Sequence, residues 1–164
     1  MSLAPSGAGA FADASNRFGL HFHHLGWIVP APEAAASFLT PLGYRPGAQA
    51  YDPLQRVNLA MHHHDQMPDI ELIWPGPEAS PIDRLLRQGH MVYHIGYVTE
   101  DAEASLAALE AAGISVLTVV PPRPAVLFGG IPVSFHTLDE IGLIEFLHGV
   151  PPEGTHLAAV GDRP

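Results

Sequence analysis

Two glutamates occupy positions where a carboxylate needs a chemical explanation. Glu71 stands within the apolar stretch 70–73, and Glu145 stands within the apolar stretch 144–147. Because side chains alternate along a strand, each glutamate points away from the apolar residues on either side of it. A buried, unpaired carboxylate is strongly destabilising. Each carboxylate is therefore either on a solvated face of a sheet, or buried and paired with another group or a metal ion.

Two histidines precede these glutamates in a repeated pattern. The segments 24–29 (HLGWIV) and 94–99 (HIGYVT) share the order His, aliphatic, Gly, aromatic. The spacing is also similar, with 47 residues from His24 to Glu71 and 51 from His94 to Glu145. The chain is therefore interpreted as two copies of one unit, with His on the first strand and Glu on the last.

The repeat changes how the four residues are interpreted. A single core histidine that bonds to the backbone is common, and a single glutamate on a solvated face is equally ordinary. Two histidines and two glutamates at matching places instead predict a pseudo-two-fold site with four converging side chains. We therefore expect His24, Glu71, His94 and Glu145 to bind one metal ion.

The other histidines give weaker signals. Three adjacent residues on a strand alternate between faces, so His62, His63 and His64 cannot all bind one ion, and we expect them at a strand end or loop. His23 faces away from His24 if its strand is regular, so it is not expected to be a ligand. Spacing leaves the roles of the remaining two candidates open; these are His136 and His148.

The elements that position these residues follow from the apolar pattern. Strands rich in β-forming residues begin both repeats, and an apolar stripe predicts a helix after each, ended by a glycine. Residues 75–90 are expected to form a loop followed by a short helical turn. The helices are predicted at 32–39 and 100–112, and the further strands at 57–62, 69–74, 114–119, 131–136 and 143–148.

Composition limits the classes of function. The 164 residues carry a formal net charge of −10, which disfavours nucleic acid as a partner. There is no Lys for a Schiff base and no Cys for a disulfide, a thiolate site or a nucleophile. No apolar run is long enough to span a membrane, and the first residues lack the pattern of a signal peptide. We therefore expect a soluble, cytoplasmic protein.

The domain organisation is expected to be simple. Residues 1–20 are predicted to be a flexible N-terminal arm, and 150–164 a loose C-terminal tail, because both are rich in small residues, Gly or Pro. One domain is predicted at 21–149, with modules at about 21–75 and 91–149.

The pattern resembles the vicinal-oxygen-chelate superfamily, the group of glyoxalases, bleomycin-resistance proteins and extradiol dioxygenases. Within it, the chain is most similar to the methylmalonyl-CoA epimerase branch. The resemblance spans about residues 21–148, nearly the whole domain. It is carried by 24–26 (HLG), 70–72 (IEL), 80–82 (SPI), 93–96 (YHIG), 130–136 (GIPVSFH) and 142–145 (GLIE).

This resemblance implies an α+β fold in which two tandem βαβββ modules form a half-barrel around a metal site. It implies His24, Glu71, His94 and Glu145 as ligands of one divalent ion, with two positions left for vicinal oxygens of a substrate or for water. Such donors suit Co, Ni, Mn, Zn or Fe. Many members of the superfamily are dimers, so we expect a homodimer.

One position departs from the epimerase pattern. Where the epimerases carry a glutamate that faces the metal, this chain has Leu54, and the nearest carboxylate is Asp52. The expected activity is an isomerase, epimerase or lyase that moves a proton next to a carbonyl of a small acyl thioester or thiol adduct. The base would be Glu145 or Glu71, with Asp52 as a third candidate.

Three alternatives remain open at the level of sequence. A glyoxalase I-type lactoylglutathione lyase would use the same ligands and the same proton chemistry. An extradiol dioxygenase would use two histidines and one carboxylate on iron, and the fourth expected ligand argues against it. A non-catalytic binder of the bleomycin-resistance type would typically lack the ligands.

Overall fold

The computed structural model describes residues 16–89 and 91–151, and the expectations for residues 1–15 and 152–164 lie outside that part of the chain. The described residues form eight strands and three α-helices, with short 3-10 turns at Thr40–Leu42 and Val126–Phe128. In chain order the elements are β1 (His21–Ile28), α1 (Pro32–Leu39), β2 (Arg45–Asp52), β3 (Val57–His63), β4 (Asp69–Pro75), α2 (Ile82–Arg87), β5 (Val92–Thr99), α3 (Ala102–Ala111), β6 (Val116–Pro124), β7 (Pro132–Leu138) and β8 (Gly142–His148).

All eight strands belong to one sheet in the order β2-β3-β4-β1-β5-β8-β7-β6. Each half is a βαβββ module in which the first strand pairs in parallel with the last, β1 with β4 and β5 with β8. The two modules meet where β1 and β5 pair antiparallel. Since β2 and β6 remain as edges, the sheet is an open half-barrel, and the predicted α+β architecture is confirmed.

Three apolar clusters cover the two faces of this sheet. The concave face carries the largest cluster, which includes Met61, Phe128 and Phe135. On the convex face, one cluster includes Leu39 of α1 and another includes Leu109 of α3. Of the described helices, α1 and α3 lie on the convex face, and only the short α2 packs against the concave cluster, through Ile82. The concave face is therefore only partly covered and can enclose a site.

The helix boundaries have local causes. Proline is the first residue of α1, where a missing N–H costs no hydrogen bond. The Asp101 side chain caps α3 by accepting a hydrogen bond from the Ala104 N–H at 2.9 Å. The predicted helical turn in the linker between the modules is α2. None of the described helices is long and apolar enough to cross a membrane.

Strand β2 is the element that residue patterning missed. It contains Pro46 and Gly47, and most of its side chains are exposed. Proline and glycine are depleted in central strands but tolerated at a sheet edge, where one side of the backbone needs no partner. Its register also shifts between Pro46 and Gln49, so no apolar alternation marks it in the sequence.

The last residues of the predicted N-terminal arm contact the sheet domain. Phe18 and Leu20, placed in the arm by the sequence, pack against the cluster under α3. The Asn16 amide donates to the Leu20 carbonyl at 2.8 Å, which fixes the turn before β1. The domain limits as a whole remain a prediction.

The repeated His-x-Gly motif has a packing explanation at the junction of the two modules. Across the β1–β5 pairing, His24 lies opposite Gly96, and Gly26 lies opposite His94. A Cβ atom on Gly96 would overlap the His24 ring, and one on Gly26 would overlap the His94 ring. Each glycine therefore leaves the space that the histidine of the other module occupies.

We predict that Gly96→Ala destabilises the fold by about 1–3 kcal/mol, because the methyl group must displace the buried His24 ring. Chemical denaturation of the purified variant measures this change in the free energy of unfolding. The control is Ile95→Val, one residue away on the other face, which should cost about 1 kcal/mol. A Gly96→Ala protein as stable as the wild type would show that the two modules do not constrain each other in this way.

Candidate metal centre

Four side chains from four central strands converge on the concave face. His24 lies on β1, Glu71 on β4, His94 on β5 and Glu145 on β8, and their exposed fractions are 0–4%. One nitrogen or oxygen of each residue lies within 4.8 Å of the corresponding atoms of the other three. All four residues that the repeat singled out are thus brought together, and their role as metal ligands remains a proposal.

The separations between these atoms are those of ligands around one ion. The two histidine Nε2 atoms are 3.0 Å apart. The Glu71 Oε2 atom is 3.5 Å from His24 Nε2 and 3.3 Å from His94 Nε2. The Glu145 Oε2 atom is 3.2 Å and 3.5 Å from the same two nitrogens. Ligands about 2.1 Å from a common ion lie about 3.0 Å apart in adjacent octahedral positions and about 3.4 Å apart in a tetrahedron.

The donor set also fits a divalent ion chemically. Two imidazoles and two carboxylates suit borderline first-row metals, and two negative charges would balance a 2+ ion. The buried Glu145 Oε2 atom has no hydrogen-bond partner among the described residues. A metal bond would satisfy this oxygen, whereas a buried carboxylate oxygen without a partner is costly.

Electrostatics in the metal-free protein favours a charged cluster. Burial by itself lowers the pKa of His24, but the adjacent carboxylates of Glu145 and Glu71 outweigh it and raise the pKa to about 10. The pKa of His94 is raised for the same reason. Burial raises the pKa of Glu145, but His24 and His94 lower it to about 2, and the pKa of Glu71 is also lowered.

A β-bulge precedes each of the two histidines of the cluster. The register between β1 and β5 slips by one residue at His23 and by one residue at Tyr93. Both bulged residues therefore turn towards the concave face, so the expectation that His23 faces away from His24 is wrong. Its Nδ1 atom hydrogen bonds to the Nδ1 atom of His24 at 2.8 Å, leaving His24 Nε2 directed to the cluster. His23 is not one of the four converging donors.

Aromatic rings enclose the cluster on both sides of the pseudo-two-fold. The Phe128 ring lies 5.6 Å from the His24 ring, and the Phe135 ring lies 5.3 Å from the His94 ring. The Tyr93 ring lies 5.2 Å from the His94 ring. Burial, followed by the charges of Glu145 and Glu71, raises the pKa of Tyr93 to about 12. The phenol is therefore within electrostatic reach of both carboxylates.

A cavity of about 370 Å³ adjoins the His94 side of this cluster. Tyr93 and Phe135 are part of its wall, and most of the remaining wall is apolar. Arg123 contributes a cation and forms no ion pair with a described carboxylate. The other lining residues are Asp52, Leu54, Gln55, Val57, Pro81, Ile82, Val119, Val120, Pro124, Val133 and Leu143.

The third candidate base, Asp52, lies in the cavity wall rather than in the cluster. Its Oδ1 atom accepts hydrogen bonds from the backbone N–H groups of Leu54 and Gln55 at 2.8 and 3.1 Å. Its Oδ2 atom accepts one from the Gln55 side chain at 3.1 Å. Both oxygens are thus engaged in holding the turn between β2 and β3. Leu54, at the tip of this turn, is 53% exposed and also lines the cavity.

The three consecutive histidines end β3, as expected. His62 pairs with Ile70, and Ile70 lies under α1, so His62 is on the convex face. The His63 Nδ1 atom lies 2.7 Å from Asp69 Oδ2. His64 comes directly after β3, and its ring accepts a hydrogen bond from a backbone N–H group of the turn that follows. They do not converge on one point.

His136 and His148, whose roles the spacing left open, lie on the convex face. His136 pairs with Ile144, whereas Phe135 pairs with Glu145 on the concave face. The Ser134 Oγ atom is 2.8 Å from the Nε2 atoms of both histidines. Burial lowers the pKa of each histidine. With Ser134 they form a polar chain behind the sheet that runs from the buried His136 to the half-buried His148.

Sequence reasoning missed Tyr93, Phe128 and Phe135 as parts of the site. Tyr93 and Phe135 belong to motifs of the family resemblance, but neither motif assigns them a role in the site. A regular strand would also turn Tyr93 away from His94. The signal that could have found Tyr93 is the repeat itself, since it precedes its histidine as His23 precedes His24. Phe128 has no counterpart at a matching place in the first module.

We predict that His94→Ala sharply lowers the metal content of the purified protein, because one of four converging donors is removed. Elemental analysis after metal loading measures this loss. The matched control is His63→Ala, a buried histidine paired with Asp69 outside the cluster, which should keep its metal. Equal losses in both variants would contradict the assignment of the cluster as the metal site.

We also predict that metal binding releases protons and tightens as the pH rises. The pKa of His24 in the metal-free protein is about 10, so at neutral pH its imidazole is protonated and the ion must displace that proton. Titration calorimetry in two buffers of different ionisation enthalpy measures the proton release. Binding that is independent of pH between 6 and 9, with no proton released, would contradict this charge state; this pH window follows from the raised pKa values.

Comparison with known proteins agrees with this architecture. The family model described as the Glyoxalase/Bleomycin resistance protein/Dioxygenase superfamily matches residues 23–135. None of the curated proteins compared gives a significant match. Several solved structures share the fold at low sequence identity.

A hypothetical protein from Bacillus halodurans is 23% identical, with a TM-score of 0.64 over 77% of this chain and 92% of that one. The methylmalonyl-CoA epimerase from Mycobacterium tuberculosis is 18% identical, with a TM-score of 0.66 over 87% and 97%. A variant of the Streptomyces coelicolor methylmalonyl-CoA epimerase is 22% identical, with a TM-score of 0.60 over 88% and 99%. Since the family model covers more than half of its residues, this chain belongs to the glyoxalase, bleomycin resistance protein and dioxygenase superfamily.

Proposed function

We propose that this protein is a metal-dependent isomerase, epimerase or lyase that moves a proton at the carbon next to a carbonyl. The observation that carries the proposal is the buried cluster of two imidazoles and two carboxylates beside an apolar cavity. His24, Glu71, His94 and Glu145 would hold one divalent ion. When bound, that ion would supply Lewis acidity for a substrate carbonyl.

The carboxylates of the cluster are the candidates for moving the proton. Glu145 is our first choice because its Oε2 atom is buried without a hydrogen-bond partner among the described residues. Glu71 occupies the matching place in the first module and is the second choice. Asp52 is the third, because the turn that it holds already engages both of its oxygens. A positioned general base contributes roughly 10²–10⁴-fold to such a reaction.

The cavity supports an acyl group with an apolar substituent as the substrate. Its walls are mostly aliphatic and aromatic, and Leu54 adds an apolar side chain where the epimerases carry a glutamate. Solved structures of methylmalonyl-CoA epimerase include complexes with methylmalonyl-CoA and with 2-nitronate-propionyl-CoA. We therefore propose acyl thioesters as the first substrate class to test, with thiol adducts of 2-oxoaldehydes as the second. We propose a homodimer as the working assembly.

We predict that the metal-loaded protein exchanges the α-hydrogen of a suitable acyl thioester with D₂O. Glu145→Gln should slow this exchange by at least about 100-fold, because an amide cannot accept the proton. Mass spectrometry of the recovered thioester measures the exchange, and elemental analysis of each variant separates loss of metal from loss of the base.

The matched control is Glu110→Gln, which replaces an exposed carboxylate on α3 and should leave exchange unchanged. Exchange only with thiol adducts would favour the glyoxalase-type reaction. Tight binding of a small molecule with no exchange across both classes would contradict the proposal and favour a binding protein.

A further inference from the structure

Tyr93 is a polar residue that lines the cavity and also contacts His94 of the four-residue cluster. Its ring packs 5.2 Å from the His94 ring and 6.3 Å from the Phe135 ring, and it lines the cavity with Phe135. A regular strand would direct Tyr93 away from the site. The bulge opposite Gly26 and Trp27 instead places it on the same face as His94. Bulges next to active sites commonly redirect a side chain in this way.

The hydroxyl of Tyr93 has no partner in the described part of the chain. No described residue forms a hydrogen bond with it, and the side chain is half-buried where it lines the cavity. A tyrosine in such a wall presents an apolar ring and a polar hydroxyl that can bond to a molecule in the cavity. The Tyr93 ring packs against its neighbours through carbon atoms. A phenylalanine would therefore pack equally well, and packing does not explain the hydroxyl group.

The other polar side chains of the cavity are less suited to hold a ligand near the cluster. Asp52 and Gln55 hydrogen bond to each other. Arg123 is exposed, and it forms no ion pair with a residue in the described part of the chain. Among the described lining residues, Tyr93 alone combines a neutral hydrogen-bond donor without a partner and a contact with a cluster histidine.

We propose that Tyr93 donates a hydrogen bond to a substrate oxygen that binds between the cavity and the His24–Glu71–His94–Glu145 cluster. This proposal rests on the proposed function, because it assumes that the substrate presents an oxygen to the metal. A donor at this place would favour a substrate oxygen that gains negative charge while the neighbouring carbon loses its proton. Tyr93 would be a substrate-contacting residue and would not transfer a proton itself.

The test measures binding of acetohydroxamate, a small ligand with two vicinal oxygens, to the Co²⁺-loaded protein through the visible spectrum of the ion. Tyr93→Phe should weaken acetohydroxamate binding by about tenfold, as expected for the loss of one hydrogen bond. The affinity for Co²⁺ itself should not change, because the phenyl ring keeps its packing against His94.

Tyr97→Phe is the matched control, since Tyr97 lies on the same strand and its ring packs against Phe22 on the convex face. It should bind acetohydroxamate as the wild type does. Equal affinity in Tyr93→Phe and wild type would overturn the proposal, and so would a wild-type protein that binds Co²⁺ but not acetohydroxamate. Weaker Co²⁺ binding in Tyr93→Phe would also overturn it, because the residue would then support the ligands.

The two proposals can fail separately. Hydrogen exchange by the wild type, together with unchanged acetohydroxamate binding in Tyr93→Phe, would remove only the role of Tyr93. Weaker acetohydroxamate binding in Tyr93→Phe, without hydrogen exchange for any substrate class, would keep the oxygen-binding role and remove the proposed reaction.

Discussion

Two carboxylates buried in the centre of a sheet are the constraint on which the rest of this structure depends. Removing a carboxylate from water is costly unless hydrogen bonds, opposite charges or a metal compensate it. Glu71 and Glu145 meet this requirement only together with His24 and His94, since each carboxylate lies within 3.5 Å of both imidazoles. The four residues therefore stabilise the centre only as a set, and one divalent ion would take the place of the protons on the imidazoles.

The pseudo-two-fold arrangement follows from how the modules share space. Each module supplies one histidine and one glycine to the β1–β5 pairing, and each glycine leaves room for the ring of the other module. The site is thus built at the interface between the two modules, and neither module holds it alone. A side chain at either glycine would displace a histidine ring. It would therefore disturb the packing between the modules and the positions of the cluster nitrogens together.

The symmetry between the two modules is broken at the two β-bulges. His23 and Tyr93 occupy equivalent bulges, but His23 hydrogen bonds to His24 of the cluster, whereas Tyr93 lines the cavity and its hydroxyl has no partner among the described residues. The buried Nδ1 atom of His94 correspondingly lacks a partner among the described residues. One bulge therefore supports a candidate ligand, and the other contributes to the wall of the candidate substrate site. A two-fold scaffold can in this way carry a one-sided reaction centre.

The repeat, the α+β class and the four converging residues were predictable from the sequence. An isolated glutamate between apolar neighbours and a His-x-Gly motif are local signals that recur at matching places. It did not reveal β2, whose edge position tolerates Pro46 and needs no apolar alternation. The face on which His23 and Tyr93 lie was not predictable from local sequence, because a bulge depends on the register between two strands that are about 70 residues apart in sequence.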